Sequence, residues 1–355
     1  MLSADPFYRD DYAGAREGFL AAARRAGARL ERLPLEARGP DGQALGIDIA
    51  WLGADSPRRL VLHSSGVHGV EGFAGSAVQR AILAAPPALA ADQALVFAHV
   101  LNPYGMAWLR RANEHNVDLN RNCLTDDGGW RGAPAGYRTL DPLLNPPSPP
   151  RPDGFYLRAV AAVLRYGFGT VRQAVAGGQY DYPRGLFYGG AQLEEGPSRY
   201  RDWIRAHLGG VEALAAIDVH TGLGPWGHGS QFEESAGRPG AESAGYAVRG
   251  GMIAAVRAWL PGARVRAVTQ EFGTYSSLRV LHALREENRW HFYGRADLAH
   301  PSKSRLRAAL CPASPAWRRA VLTQGIELAA RACTWRVDEI PPAAGENRPA
   351  AGGGA

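Results

Sequence analysis

The sequence contains few cysteines and a single lysine. Its three cysteines, Cys123, Cys311 and Cys333, form no CxxC pair and have no disulfide-like spacing. This is typical of a reducing compartment and argues against a structural zinc cluster built from thiolates. Lys303 is the only lysine among 40 basic residues, and the arginines form no basic run. The net charge of +6 therefore does not indicate a nucleic-acid-binding surface.

A long apolar run is also lacking. No segment approaches the roughly 18 apolar residues needed to cross a bilayer. The acidic N-terminus, MLSADPFYRDDY, has neither the basic nor the apolar region of a secretory signal. We predict a cytoplasmic protein without a membrane or nucleic-acid partner, and its oligomeric state is not indicated.

The sequence does contain short apolar strands that alternate with helical segments. The segments RLVLHSS, ALVFAHVLNP and ALAAIDVH are apolar runs typical of buried strands, and the helical AGSAVQRAILAA lies between the first two. This order predicts an α/β fold, with one domain over residues 1–337 and a central mixed, mostly parallel, twisted sheet flanked by helices. The tail, 338–355, cannot bury enough apolar surface to order itself, and we predict that it is disordered.

Further elements follow from periodicity and composition. ALGIDIAWLG predicts a strand with one buried face, and residues 124–155, rich in proline and glycine, predict a long irregular loop. Helical spacing recurs at 11–28, 155–178, 197–208, 276–288 and 315–332, with one more helix near GGMIAAVRAWLPG.

Two residues in the turn after the strand RLVLHSS have the types and spacing of metal ligands. His68 and Glu71 are three positions apart among glycines that let the backbone fold tightly, and His220 ends another apolar strand. Open α/β sheets place their sites at the carboxyl ends of their strands. Two histidines and one glutamate, with a fourth position open, describe a catalytic zinc site, whereas no HExxH pair is present.

Four blocks of sequence resemble the zinc carboxypeptidase superfamily, the carboxypeptidase A-like clan. They are GVHGVEG, NPYGMAWLRRANEHNVDLNRN, DVHTGLG and TQEFGT, in that order, and NVDLNRN is the most specific of them. The DVHTG segment is similar to that of succinylglutamate desuccinylases and aspartoacylases, and the resemblance is greatest to an uncharacterised bacterial branch. It implies a zinc carboxypeptidase-like fold over about residues 60 to 275.

The resemblance also implies roles for individual residues. One zinc ion would be held by His68, Glu71 and His220. Asn120 and Arg121 would bind the substrate carboxylate, which suits the planar fork of an arginine. Arg111 would stabilise the oxyanion, although its neighbour Arg110 is hard to distinguish from it by sequence. Asp118 would orient His68 through the ring nitrogen that does not bind metal, and Asp218 is a weaker candidate for such a role.

Glu271 would be the general base that activates the zinc-bound water. It ends the strand-like RVRAVTQEF beside Phe272, where partial burial raises the pKa of a carboxyl group. The implied function is a metallohydrolase that cleaves an amide bond next to a free carboxylate, and the alternative is a deacylase of N-acyl amino acids. Its substrate would be a small peptide or an acyl amino acid.

Several features leave alternatives open. His63 and His228 fit a structural or surface role better than a ligand role. Tyr188, Tyr246 and Tyr275 are possible substitutes for the substrate-contacting tyrosine of the digestive enzymes, and GQYDYPRGLFYGG, residues 178–190, is either a pocket-forming loop or ordinary packing. The sequence has no GxSxG motif, so a serine hydrolase is not supported. If the protein were a metal-free binding module, His68, Glu71 and His220 would not be expected to converge in space.

Overall fold

A seven-stranded sheet forms the centre of the computed structural model, which describes residues 6–125, 129–233 and 248–341. The strands are β1 (Arg29–Arg38), β2 (Ala44–Gly53), β3 (Arg59–Ser65), β4 (Gln93–His99), β5 (Ala213–Gly222), β6 (Gly229–Glu233) and β7 (Arg264–Gly273). Their order is β1-β2-β4-β3-β5-β7-β6, with β4, β3, β5 and β7 parallel and the outer pairs antiparallel. The predicted mixed sheet with a parallel centre is confirmed.

Helices cover both faces of this sheet, as predicted. They are α1 (Tyr12–Arg25), α2 (Gly72–Ala84), α3 (Pro103–Ala107), α4 (Tyr137–Leu144), α5 (Phe155–Tyr166), α6 (Phe168–Ala176), α7 (Glu195–Leu208), α8 (Met252–Trp259), α9 (Ser277–Tyr293), α10 (Pro301–Leu310) and α11 (Pro315–Thr334). Helices α1, α2, α9, α10 and α11 enclose one apolar core, and α7 and α8 enclose the other. Both faces of the central strands are therefore buried, which explains their continuous apolar runs.

Three predictions about individual elements were wrong. β2 is buried on both faces rather than one, because α1 covers the second face and Arg16 pairs with the buried Asp48 at 2.6 Å. The predicted loop 124–155 contains α4, whose Tyr137, Leu140 and Leu144 pack against α6. The helical segment 155–178 is two helices, because Gly167 adopts a φ of +83° between α5 and α6. Helix α10 was not predicted.

The C-terminal end of the described chain continues slightly beyond the predicted domain limit. Val337–Glu339 form a 3-10 turn, and the Ile340 side chain is buried. Residues 342–355 of the predicted tail lie outside the described residues, so the boundary at 337 stays a prediction. Among the described residues, no helix has the length and apolar character needed to span a membrane.

Candidate metal centre

The predicted site residues lie where three parallel strands end. β3 leads into the turn that holds His68 and Glu71, and Glu71 immediately precedes α2. His220 lies on β5 and pairs in register with Glu271 on β7. Because parallel strands share one carboxyl edge, three separate parts of the sequence meet at this edge of the sheet.

His68, Glu71 and His220 form a compact, buried group. Each offers one ligand atom, and these atoms all lie within 4.8 Å of one another. Glu71 Oε1 lies 3.0 Å from His68 Nδ1, and Glu71 Oε2 lies 3.8 Å from His220 Nδ1. The structure thus brings together the three residues that the sequence predicted as ligands.

The two histidine rings present their Nδ1 atoms toward Glu71. On the other side of the rings, Asp218 Oδ2 lies 2.7 Å from His220 Nε2. Asp118 Oδ1 lies 3.3 Å from His68 Nε2, and Arg111 Nη2 lies closer to the same nitrogen, at 2.6 Å. The buried Nδ1 of His68 faces the Glu71 carboxylate at 3.0 Å. A buried ring nitrogen next to a carboxylate and a second imidazole fits the donor set of a zinc site.

The charges of the group stabilise the ionised form of its carboxylates. Burial alone would raise the pKa of Glu71, but His68, Arg111 and His220 hold it below its ordinary value. The pKa of Asp118 is likewise held well below its ordinary value, against the effect of burial, by Arg111 and His68. Burial opposes protonation of His220, yet Asp218 and Glu71 raise its pKa to about 9. The site therefore attracts positive charge.

Tight backbone packing holds the turn in place. The Gly69 N–H donates to Arg111 O at 3.1 Å, and the Val70 N–H donates to Arg110 O at 2.9 Å. A Cβ atom on Gly69 would overlap the backbone of Gly105 in α3. Glycine is required at 69 because two backbone segments touch there.

The structure distinguishes Arg111 from Arg110. Arg111 lines the cavity at the site, donates from Nη1 to Glu71 Oε1 (3.1 Å) and from Nε to Asp118 Oδ2 (3.0 Å), and places Nη2 2.6 Å from His68 Nε2. Arg110 is fully buried away from this cavity and pairs with Glu287 at 3.0 Å. Arg111 is therefore the arginine placed beside the candidate ligands.

Asn120 and Arg121 line the same cavity but also contact backbone groups. Arg121 donates from Nε and Nη2 to Ala176 O, at the end of α6, and from Nη1 to Asn120 O. Asn120 Oδ1 accepts from the N–H of Met252 at the start of α8. Their predicted role as a carboxylate clamp stays a prediction.

Glu271 lies at the edge of the ligand group. Its Oε1 accepts from the Leu223 N–H at 2.8 Å. Burial, together with the charge of Glu71, raises the pKa of Glu271 to about 7. Such a carboxylate can accept a proton near neutral pH.

A cavity of about 520 Å³ opens over these residues. Its lining is largely apolar, and part of it comes from elements that sequence reasoning did not connect with the site, namely α5, α6 and α9. The apolar members from these helices include Val163, Phe168, Val171, Val175, Leu281 and Leu284. Because these helices are far from the motifs along the sequence, the motifs did not indicate that they line the cavity. The volume lies within the range of small-molecule sites.

The remaining candidates divide between the cavity and the interior. Tyr275 lines the cavity, as does Phe187 of the 178–190 segment, whereas Tyr188 is buried and Tyr246 lies outside the described residues. His63 is fully buried, and its Nδ1 accepts from the amide Nε2 of Gln79, on α2, at 3.4 Å.

Asp218, the weaker candidate by sequence, lies closer to its histidine (2.7 Å) than Asp118 lies to His68 (3.3 Å). His228 is exposed, as expected for a surface residue. A second group, Glu114, His115 and Glu194, also brings ligand atoms within 4.8 Å, but His115 is exposed and Glu194 is already paired with it at 2.6 Å.

Comparison with known proteins gives one family and a set of remote structural similarities. A family model described as a protein of unknown function (DUF2817) matches residues 8–324. No curated protein sequence matches the chain. Among solved structures, carboxypeptidase A from Helicoverpa armigera is 13% identical over 91% of this chain and 73% of that one, with a TM-score of 0.43.

Two other solved structures are similar at the same level. Bovine thrombin-activatable fibrinolysis inhibitor is 11% identical over 92% of this chain and 98% of that one, with a TM-score of 0.44. Murein-tripeptide amidase MpaA from Escherichia coli O157 is 15% identical over 74% of this chain and 92% of that one, with a TM-score of 0.37.

Proposed function

The chain belongs to the DUF2817 family of proteins of unknown function, and we propose that it is a zinc-dependent hydrolase that cleaves an amide bond next to a free carboxylate. The observation that carries this proposal is the convergence of His68, Glu71 and His220, whose ligand atoms lie within 4.8 Å of one another. Two imidazoles and one carboxylate are the donor set of catalytic zinc sites that keep one position open.

The three residues would hold one zinc ion through the two Nδ1 atoms and the Glu71 carboxylate. Asp118 and Asp218 would keep the rings in this orientation by contacting the Nε2 atoms of His68 and His220. A zinc ion bound there would supply Lewis-acid chemistry, polarising the scissile carbonyl and acidifying a water molecule.

Glu271 would move the proton. It would take a proton from the attacking water and hand it to the leaving amine, as a general base and then a general acid. Because Oε1 is held by the Leu223 N–H, we assign the proton to Oε2. Burial in the cavity favours the protonated form of this carboxyl group, which suits a group that accepts and releases a proton.

Two arginines would bind the charged parts of the substrate. Arg111 pairs with Glu71 and Asp118 and lines the cavity, and its guanidinium would stabilise an oxyanion. Arg121 uses three of the five N–H donors of a guanidinium for backbone carbonyls among the described residues, which leaves donors for a substrate carboxylate. Asn120 would complete this clamp.

Metal analysis combined with an activity assay tests the proposal. We expect the purified chain to contain one zinc per molecule and to cleave peptides with a free C-terminal carboxylate, but not the same peptides as C-terminal amides. His220→Ala should lose both zinc and activity, whereas His228→Ala, at an exposed histidine, should keep both. Wild-type protein without stoichiometric zinc, or full activity in His220→Ala, would refute the mechanism.

A deacylase of N-acyl amino acids is the second candidate, and the apolar lining of the cavity favours it. An aliphatic or aromatic acyl group would pack against Val171, Val175 and Leu281, while the amino acid carboxylate would bind Arg121. Cleavage of acyl amino acids without cleavage of peptides, in the same assay, would select this function.

A further inference from the structure

The exposed hydrophobic residues of the protein are concentrated in one place. Among the described residues, eight large hydrophobic side chains are exposed. Six of them lie on α5 or at the start of α6; they are Tyr156, Leu157, Val160, Leu164, Tyr166 and Phe168. Scattered exposed hydrophobic residues need no explanation, but a contiguous group marks an interaction surface.

The spacing of these residues gives α5 an apolar outer face. Leu157, Val160 and Leu164 follow one another at intervals of three and four, so they lie on one side of the helix, and they are 80%, 46% and 82% exposed. Phe155 and Ala159, on the inner side, are buried. We call Tyr156, Leu157, Val160, Leu164 and Phe168 the α5 face.

The charged residues of α5 and α6 are all arginines, namely Arg158, Arg165 and Arg172. The flanking aspartates, Asp153 and Asp181, lie outside the two helices, and Asp153 pairs with the buried Arg285. Arg158 and Arg165 are exposed and seven positions apart, so they follow the same edge of the apolar stripe. A second copy of the same face would oppose like charges, which disfavours self-association.

We propose that the α5 face binds the surface of an anionic lipid bilayer. An amphipathic helix with arginines beside its apolar side lies in the plane of the membrane interface, with its apolar side chains below the headgroups and its guanidinium groups at the lipid phosphates. The prediction of no membrane partner was based on the absence of a spanning segment, which such a contact does not require. The proposal is independent of the hydrolase activity.

The contact would bring the cavity next to the lipid. Phe168 is 55% exposed and also lines the cavity, and Val163, Val171 and Val175 of the same two helices form part of its wall. The two helices thus contribute both to the α5 face and to the wall of the cavity.

Co-sedimentation of the full-length chain with lipid vesicles tests the proposal. We expect binding to vesicles that contain phosphatidylglycerol, weak binding to phosphatidylcholine alone, and release at high salt. Leu157→Ser with Leu164→Ser should weaken binding roughly tenfold or more, because two exposed leucines lose their burial in lipid. Leu298→Ser, at an exposed leucine elsewhere in the sequence, should have no effect.

Two further arms complete the experiment. The double variant Arg158→Gln with Arg165→Gln should bind roughly tenfold more weakly and with less salt dependence. The control variant Arg24→Gln with Arg25→Gln loses the same charge from exposed positions of α1, and its binding should not change. Equal binding to both kinds of vesicle, or unchanged binding by the double leucine variant, would overturn the proposal. So would a dimer in sedimentation velocity that the double leucine variant dissociates.

Discussion

Single side chains contact the outer nitrogen of each candidate histidine ligand. Asp218 lies at Nε2 of His220, whereas Arg111 and Asp118 both lie at Nε2 of His68, and both rings direct Nδ1 toward Glu71. Asp218 is itself held by the hydroxyl of Ser64, which donates to its Oδ1 at 2.7 Å. A buried chain of contacts thus extends from β3 to the ring on β5.

Removing the charge of Asp218 should weaken metal binding. Asp218→Asn keeps the size of the side chain but not the charge that stabilises His220, so we expect zinc affinity to fall by roughly 10- to 100-fold. Competition with a chromogenic chelator measures this affinity, and Asp92→Asn, at a surface aspartate, is the matched control. Unchanged zinc affinity would show that Asp218 does not position the ligand.

Replacing Glu271 should separate proton transfer from metal binding. Glu271→Gln removes the proton acceptor but none of the three candidate ligands, so turnover should fall on the order of 100- to 10,000-fold while zinc content stays at one per chain. Steady-state kinetics and metal analysis on the same sample provide both readouts. Glu233→Gln, on the neighbouring β6, should change neither, and a Glu271→Gln enzyme with wild-type turnover would exclude the assigned role.

Whole elements place these side chains within reach of one another. Parallel pairing of β5 with β7 sets His220 beside Glu271, and Glu71 Oε2 accepts from the Thr221 N–H, 150 positions away, at 2.9 Å. The turn after β3 packs directly on α3 through Gly69. Small displacements of these elements would separate the ligands.

A side chain at position 69 should therefore disturb the site. Gly69→Ala would force the backbone of the turn away from Gly105, and we expect both weaker zinc binding and a loss of roughly 1–3 kcal/mol in the free energy of unfolding. Denaturant unfolding and zinc titration measure the two effects. Gly210→Ala, where a Cβ meets open space, should change stability by no more than about 0.5 kcal/mol; equal stability of the two variants would contradict the packing argument.

The helices that were not predicted from the sequence are held in place by residues distant in the sequence. The proline-rich segment around α4 is fixed by Arg285 and Arg289 of α9, which are fully buried and donate to carbonyls such as Leu143 O (2.7 Å) and Ser148 O (2.9 Å). Helix α10 is held by Lys303, which pairs with Glu287 at 2.7 Å. Sequence reasoning assigns such charged residues to the surface, so it cannot predict contacts that depend on burying them.

At the scale of the whole molecule, buried histidines couple stability to pH. Burial lowers the pKa of His63 to about 4, against the opposing charge of Asp218, and lowers the pKa of His99 to about 3. Between these values and the ordinary pKa of about 6.5, the unfolded chain binds protons that the folded chain does not. These residues therefore reduce stability as pH falls from about 6.5 toward 4.

Removing one of these histidines should flatten the pH profile. Between pH 5 and 6, the slope of the free energy of unfolding against pH should be smaller in His63→Gln by about 1 kcal/mol per pH unit, the contribution of slightly less than one proton. Urea unfolding at several pH values measures the slope, and His228→Gln, at an exposed histidine, should leave the slope unchanged. A wild-type slope in His63→Gln would show that His63 is not kept neutral by burial.

The sequence by itself determined the fold class and the candidate ligands. Continuous apolar runs specify strands buried on both faces, and glycines beside His68 and Glu71 specify a tight turn at a strand end, because both signals depend on local residue types. The order of the four motifs added the resemblance to a zinc hydrolase superfamily.

Tertiary structure decided the rest. It placed Arg111 rather than Arg110 beside the candidate ligands, and it directed the Nδ1 atoms of both histidines toward Glu71. It also left one face of α5 exposed beside an apolar cavity. Each of these features depends on which residue distant in the sequence packs against a given side chain. Examples are the contacts of Arg110 with Glu287 on α9 and of Asp118 with His68. Residue types limit what a side chain can do, whereas the packing of distant elements determines which partner it has.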